Sequence, residues 1–149
     1  MLFGSSGIRK LFAQELLSLG PLVGAAVASD AKRVVLATDS RTSRNTLSDA
    51  ILSGLISVGA EVFFGGIAPT PSVALAAGKA DAGVMITASH NPENYNGYKL
   101  FRPDGSSYTV AQQEEIERRI AEPVYAEWDK QGSVSSVDII IPHKEKILA

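Results

Sequence analysis

The apolar positions fall into short unbroken runs separated by longer stretches with helical spacing. Val34-Val35-Leu36-Ala37 is one such run, β-branched at its start and entered from Lys32-Arg33. A strand buried on both faces has this pattern. Glu61-Val62-Phe63-Phe64, Ala82 to Thr87 and Gly97 to Phe101 read as three further strands, with Gly65-Gly66 expected to break the first of these. Leu47, Ile51, Leu55 and Val58 recur at helical spacing, and Leu52 and Ile56 widen the stripe, which predicts a helix from about Arg44 to Val58. Thr42 or Ser43 is placed to cap it, and Gly59 to stop it. Residues 11 to 29 read as a helix-rich segment weakened near Gly20-Pro21. Pro69-Thr70-Pro71 opens a helix from about Ser72 to Lys79, since proline suits a first helical turn. Thr109 to Ile120 reads as the last helix, after a turn at Arg102-Pro103-Asp104-Gly105.

Strands alternating with helices at this rhythm predict an α/β protein, a three-layer α/β/α domain around a central mixed, mostly parallel sheet of about four strands. The domain is expected over residues 1–136. Residues 137–149 are expected to form a last strand, Val137 to Ile141, or a linker leading outward from Pro142.

Composition narrows the class. Hydrophobic residues make up 45% and charged residues 20%, the balance of a globular protein that buries a core. Fourteen basic against 16 acidic residues give a net charge of -2, which argues against a broad surface for nucleic acid or an anionic membrane. A small anion pocket needs only a few converging cations and stays open. The absence of cysteine removes disulfides and thiolate metal sites and fits a reducing cytoplasm. The start of the chain has no signal-peptide pattern, and no apolar run approaches a membrane span.

In open α/β sheets ligands bind beyond the carboxyl ends of strands. Three polar loops follow strands here: Asp39 to Ser43, Gly65 to Pro71, and Thr87 to Asn96. In Thr87-Ala88-Ser89-His90-Asn91-Pro92, Pro92 fixes its own φ and biases Asn91 away from helix, so Ser89 is held at a strand end. His90 brings an imidazole able to manage a proton or support an anion, and Lys99 supplies a charge suited to phosphate or to proton transfer. The same residues also suit a plain polar turn, and Lys99 a solvated strand position. The amides of Gly4-Ser5-Ser6-Gly7 can cradle an anion, with Arg9 offering a bidentate fork. A frayed terminus or a linker of that composition reads equally from these residues. In Asp39-Ser40-Arg41, Arg41 reaches a phosphate if Asp39 orients it, whereas Thr42 and Ser43 are explained by capping. Pro69-Thr70-Pro71 reads as a rigid helix start, and His143 is given no role.

Taken together, the segments Phe3-Gly-Ser-Ser-Gly-Ile-Arg9, Asp39-Ser-Arg41-Thr-Ser43, Pro69-Thr-Pro71 and Gly83 to Pro92 with Tyr95-Asn-Gly-Tyr-Lys99 resemble the first domain of the α-D-phosphohexomutase superfamily. Phosphoglucomutases, phosphomannomutases and phosphoglucosamine mutases belong to it. The Thr-Ala-Ser-His-Asn-Pro stretch is highly specific, and the resemblance runs to about Ile120. It makes Gly4 to Gly7 a native anion-binding loop. It implies that Ser89 is a phosphoserine that passes its phosphoryl group to a hexose phosphate and recovers another from the bisphosphosugar. It implies that His90, Lys99 and Arg9 assist catalysis, that Ser5, Ser6, Arg41 and Asn91 bind substrate or phosphate, and that Mg2+ takes one ligand from the phosphate on Ser89. A hexose bisphosphate activator, a hexose phosphate substrate and further mutase domains II to IV as partners are implied in the same way. A cytoplasmic location and the absence of nucleic-acid and membrane partners are expected from the composition and charge above.

The sequence departs from the family pattern in three places. Lys10 stands where glycine is usual, Ala37 stands two before Asp39 where glycine is usual, and Tyr98 replaces an aliphatic residue. The metal loop, the sugar-specificity loop and the C-terminal phosphate loop of the family have no counterpart here. The resemblance therefore implies an isolated first domain with negligible mutase activity alone. Tyr95-Asn-Gly-Tyr-Lys99 leans towards the phosphoglucomutase/phosphomannomutase branch, with a phosphoglucosamine mutase as the alternative. A sugar-phosphate-binding module without activity is the reading from another class. A Ser89–His90 hydrolase is disfavoured, because adjacent residues of an extended loop rarely activate each other and no nucleophile elbow is present.

Overall fold

A strand residue with an apolar neighbour on each side must be covered on both faces, and the fold does this with two helical layers. The computed structural model describes residues 2–5 and 7–149. Its elements run β1 (Ile8–Leu11), α1 (Gln14–Ala28), β2 (Arg33–Thr38), α2 (Arg44–Ser57), β3 (Glu61–Ile67), α3 (Thr70–Ala76) with a 3-10 turn (Ala77–Lys79), β4 (Ala82–Ile86), β5 (Tyr95–Phe101), α4 (Val110–Ala121), β6 (Ser133–Ser136) and α5 (Ile140–Leu148).

The strands form one mixed sheet in the order β1-β5-β4-β2-β3-β6. The pairs β4–β2, β2–β3 and β3–β6 are parallel, whereas β5 is antiparallel to both β4 and β1. Six strands replace the expected four. The α/β/α class holds.

Alternate strand residues enter two separate cores. Ile8, Val34, Leu36, Val62, Val84, Ile86, Tyr98 and Leu100 pack with Leu16, Val23 and Val27 of α1, Leu47, Ile51 and Leu55 of α2, and Ile116 of α4. Val35, Ala37, Met85 and Phe101 pack on the opposite face with Val73, Ala77 and Ile139. Helix α1 stays continuous through Pro21 instead of weakening there. It lies so close to α2 that a Cβ on Gly54 would meet the Pro21 carbonyl oxygen at 2.1 Å.

Four expectations need correction. The stretch after Gly7, for which no strand is expected, forms β1, an edge strand whose Ile8 is fully buried. Gly65-Gly66 does not break β3, which runs on to Ile67. Instead the β2–β3 register shifts between Leu36 and Thr38, and Gly66 takes φ +68°, so these glycines mark a bulge. The last strand is β6 at Ser133–Ser136, before the expected 137–141. The stretch expected as linker forms α5, seated by buried Ile139 and by a 2.8 Å hydrogen bond between Ser72 Oγ and His143 Nδ1.

Candidate active site

The carboxyl end of β4 carries the loop that holds Ser89. Its backbone enters the left-handed region at Ser89, φ +54°, the one non-glycine residue with positive φ among the described residues. Such a conformation costs an L-residue about 1–2 kcal/mol, so the surrounding loop must impose it. The Ser89 N–H donates to Thr87 Oγ1 at 3.0 Å, and the Asn91 backbone and side-chain amides both donate to the Ala88 carbonyl, at 3.1 and 3.0 Å. Ala88 is buried beneath them, while Ser89 and His90 are exposed. Asn91 therefore closes the turn with its side chain.

Arg41, from the loop after β2, gathers the rest. Its Nη1 donates to the carbonyls of Pro92 at 2.6 Å and Tyr95 at 3.1 Å, and its Nη2 to those of Ser89 at 2.9 Å and Asn91 at 2.7 Å. Its Nε donates to Asp39 Oδ2 at 3.2 Å. Asp39 orients Arg41 as expected. The guanidinium is directed at the loop's backbone, with its five N–H bonds matched by five protein acceptors. Asn96, fully buried on β5, adds a second tie: its Nδ2 donates to Ser43 Oγ at 2.8 Å. Ser43 does occupy the N-cap of α2, but its hydroxyl makes no capping bond.

Arg9 and Lys99 stand on neighbouring strands. Arg9 pairs directly with Gly97, so Arg9 and Lys99 are diagonal neighbours on one sheet face. Lys99 in turn pairs with Met85, which places both cations on the face of the second core. Both are half-buried. Burial, and then the nearby charge of Arg41, hold the Arg9 guanidinium below its ordinary pKa, and its Nε is buried without a partner among the described residues. The Lys99 ammonium leans over the Phe101 ring, 5.3 Å from its centroid.

Gly7, at φ +92°, lets β1 approach β5: a Cβ there would meet the Tyr98 carbonyl oxygen at 2.5 Å and Lys99 Cα at 3.2 Å. The exposed turn carrying Ser5 is closed by Gly4 N–H donating to the Gly7 carbonyl at 2.9 Å. Ser6, expected to bind phosphate, lies outside the described residues. The segment is anchored, since Phe3 is buried and the Leu2 N–H donates to Glu117 Oε1 at 2.6 Å. Lys10 sits in regular strand opposite Asn96 and pairs with Glu15 at 3.0 Å, so nothing in its backbone calls for the usual glycine. Tyr98 is swallowed by the first core, its hydroxyl donating to the Leu16 carbonyl at 3.4 Å. It packs on the face opposite Lys99.

The strand-end serine, the Arg41 fork and the basic pair on β1 and β5 all lie towards the carboxyl ends of β2 and β4. Residues 1–126 match the family model for the phosphoglucomutase/phosphomannomutase alpha/beta/alpha domain I. The chain belongs to this family. Phosphoglucosamine mutase from Methanococcus vannielii is 42% identical over 136 residues, 90% of this chain and 30% of the relative. The probable phosphoglucosamine mutase of Methanocella arvoryzae is 40% identical over 99% of this chain and 34% of its own length. The chain thus spans about a third of the length of these curated relatives. Among solved structures, a phosphoglucomutase/phosphomannomutase family protein from Burkholderia thailandensis superposes with a TM-score of 0.80 at 28% identity, covering 99% of this chain and 35% of that one. A phosphomannomutase-like protein of Thermus thermophilus gives 0.75 at 29% identity, covering 92% and 33%.

Among the described residues no three His, Asp or Glu side chains group to hold a metal. The Mg2+ implied by the resemblance therefore does not fit a site built from this chain's own carboxylates and imidazoles. No helix among the described residues is long and apolar enough to cross a membrane.

Proposed function

We propose that this phosphoglucomutase/phosphomannomutase-family chain carries the phosphoserine of a phosphohexomutase at Ser89. The reading is carried by one observation: an exposed serine forced into left-handed backbone at a strand end, in a loop whose carbonyls are drawn into Arg41. Phosphoryl transfer relies on positioning and charge neutralisation more than on covalent activation, and this loop supplies positioning.

In the proposed reaction the P–O bond to Ser89 Oγ breaks as a sugar hydroxyl forms a new bond to the phosphorus. The hydroxyl proton leaves to a base, for which His90 and Lys99 are the candidates. The returning half-reaction reverses the exchange from the bisphosphosugar's other phosphate. Arg9, whose buried Nε has no partner among the described residues, is the guanidinium suited to the transferring group, whose charge is about -1.5 to -2 on phosphoserine. A phosphate on Ser89 could give a divalent metal one oxygen. Ser5 and Asn91 are further candidates to bind substrate or phosphate, and a hexose bisphosphate would serve as the phosphorylating activator.

Among hexose phosphates, the lean of Tyr95 to Lys99 towards glucose or mannose substrates competes with the curated relatives, which at 40–43% identity are named phosphoglucosamine or probable phosphoglucosamine mutases. A glucosamine phosphate is accordingly the second reading. Intact-mass analysis after incubation with glucose or glucosamine 1,6-bisphosphate tests both. A phosphoryl adduct mapped to Ser89, absent in Ser89→Ala and passed to a hexose 1-phosphate when the other mutase domains are supplied, is the expected result. An unlabelled Ser89 under all of these conditions would sink the proposal and favour a binding module.

A further inference from the structure

We infer that Arg41 is a positioning residue for the Ser89 loop and not a ligand of the phosphate, an inference that rests on the phosphoserine reading above. An arginine at a phosphate site is ordinarily read as a phosphate fork. Here the fork is spent. Nε goes to Asp39, and the two Nη atoms go to the carbonyls of Ser89, Asn91, Pro92 and Tyr95, all between 2.6 and 3.2 Å. A phosphate could recruit Arg41 only by breaking one of these bonds. The side chain is also largely enclosed, with 11% of its surface exposed.

The arrangement solves an electrostatic problem of the loop itself. A tight turn that presents a doubly charged phosphoserine must not also present carbonyl oxygens to it, because their lone pairs would repel the anion. Arg41 draws four of those oxygens to one point behind the turn. The Ser89 carbonyl is among them, and turning that carbonyl inward accompanies the left-handed φ that points the serine outward. Asp39 offsets part of the Arg41 charge, and each guanidinium N–H already has a protein acceptor, so no donor is left over for a phosphate. Binding the phosphate is left to Arg9, which has an Nε unpartnered among the described residues and no carboxylate beside it among the charged groups that shift it.

Lysine cannot replace this device. Three donors on one nitrogen cannot reach four carbonyls and a carboxylate spread around a planar group. The test compares wild type with Arg41→Lys, which keeps the charge, and with Arg41→Ala supplemented with free guanidinium ion. Hydrogen–deuterium exchange of the full chain is followed at peptides spanning Thr87 to Asn96, with the peptides of α1 and α2 as an internal standard of folding. Exchange in the loop is expected to rise about tenfold or more in Arg41→Lys while α1 and α2 keep their protection. A smaller rise overturns the inference. Should Arg41→Ala fail to fold, Arg41→Lys decides alone.

In the complete mutase, Arg41→Lys is expected to lower kcat about a hundredfold with KM for the hexose phosphate within about threefold, because the damage lies in presenting Ser89 and not in holding the sugar. A KM raised beyond that with kcat retained identifies Arg41 as a phosphate ligand and overturns the inference. The two proposals fail separately. If wild-type Ser89 never takes a phosphoryl group, the mutase reading falls, and the exchange measurement still decides whether Arg41 holds the loop.

Discussion

Asp39 grips Arg41 twice: its Oδ1 accepts the Arg41 backbone N–H at 3.0 Å, and its Oδ2 accepts the Arg41 Nε–H at 3.2 Å. The first bond fixes the turn after β2, and the second fixes the guanidinium plane that meets the Ser89 loop. Asp39→Asn keeps the size of the side chain but turns one acceptor into a donor, which cannot face Nε. We expect a loss of about 1–3 kcal/mol in unfolding free energy, the range for a charge-assisted bond at a partly buried site. Urea titration measures it. An unchanged midpoint would show that the guanidinium plane is held by the carbonyls alone.

Ser89 offers a test of backbone strain that is independent of chemistry. At φ +54° glycine is unstrained and alanine is not. Ser89→Gly is therefore expected to be more stable than Ser89→Ala by about 0.5–1 kcal/mol, after allowing for the added freedom of the unfolded glycine chain. Both variants lack the hydroxyl, so the comparison isolates the backbone. Equal stabilities would mean that the loop does not enforce the left-handed conformation.

The sequence was legible wherever hydrophobic pattern and burial coincide. The runs Val34 to Ala37 and Ala82 to Thr87 overlap β2 and β4, and the Leu47-Ile51-Leu55 stripe lies on the buried side of α2. It was illegible where an edge element depends on its partner. β1 reads Ile-Arg-Lys-Leu, four positions with no alternation, and its buried Ile8 is explained by β5. β6 is Ser-Val-Ser-Ser, exposed at all four positions with little apolar pattern, and pairs as a strand with the parallel edge of β3. At the site, Asp39-Ser-Arg41 after a strand was a readable signal for an oriented arginine. Its targets were not readable, since backbone carbonyls carry no sequence signature. The same holds for Asn96 and Ser43, joined across 53 positions.

Helix α5 is tied to the fold at two points, and each can be removed. Ile139 is 5% exposed and packs against Gly65, where a Cβ would come within 2.7 Å of Ile139 Cδ1. Ile139→Ala is expected to cost about 2–4 kcal/mol, the range for truncating a well-packed core residue. His143→Ala leaves the fully buried Ser72 hydroxyl without its partner and should cost about 1–3 kcal/mol. Circular dichroism during denaturant titration reads both. If neither variant shifts the midpoint, α5 contributes nothing to the cooperative unit.

A fully buried phenol, Tyr98, and a half-buried one, Tyr108, are expected to set the alkaline limit of stability. Burial raises the Tyr98 hydroxyl well above the ordinary tyrosine value. Burial, with the charge of Asp30 adding to it and Arg119 opposing it, pushes Tyr108 up to about 12. An unfolded tyrosine ionises near about 10. Between these values the folded chain binds more protons than the unfolded chain, so unfolding free energy must fall as pH rises. The contribution of both phenols is fully present below about pH 10 and is lost as pH climbs through the folded values. Chemical denaturation at about pH 9, 10 and 11 should therefore show a falling midpoint in wild type. Tyr98→Phe gives up only the long 3.4 Å bond to the Leu16 carbonyl, so it should cost under about 1 kcal/mol at neutral pH. Combined with Tyr108→Phe, it should flatten the alkaline slope. A double variant that loses stability above about pH 10 as steeply as wild type would assign the alkaline limit to other groups, the lysines first among them.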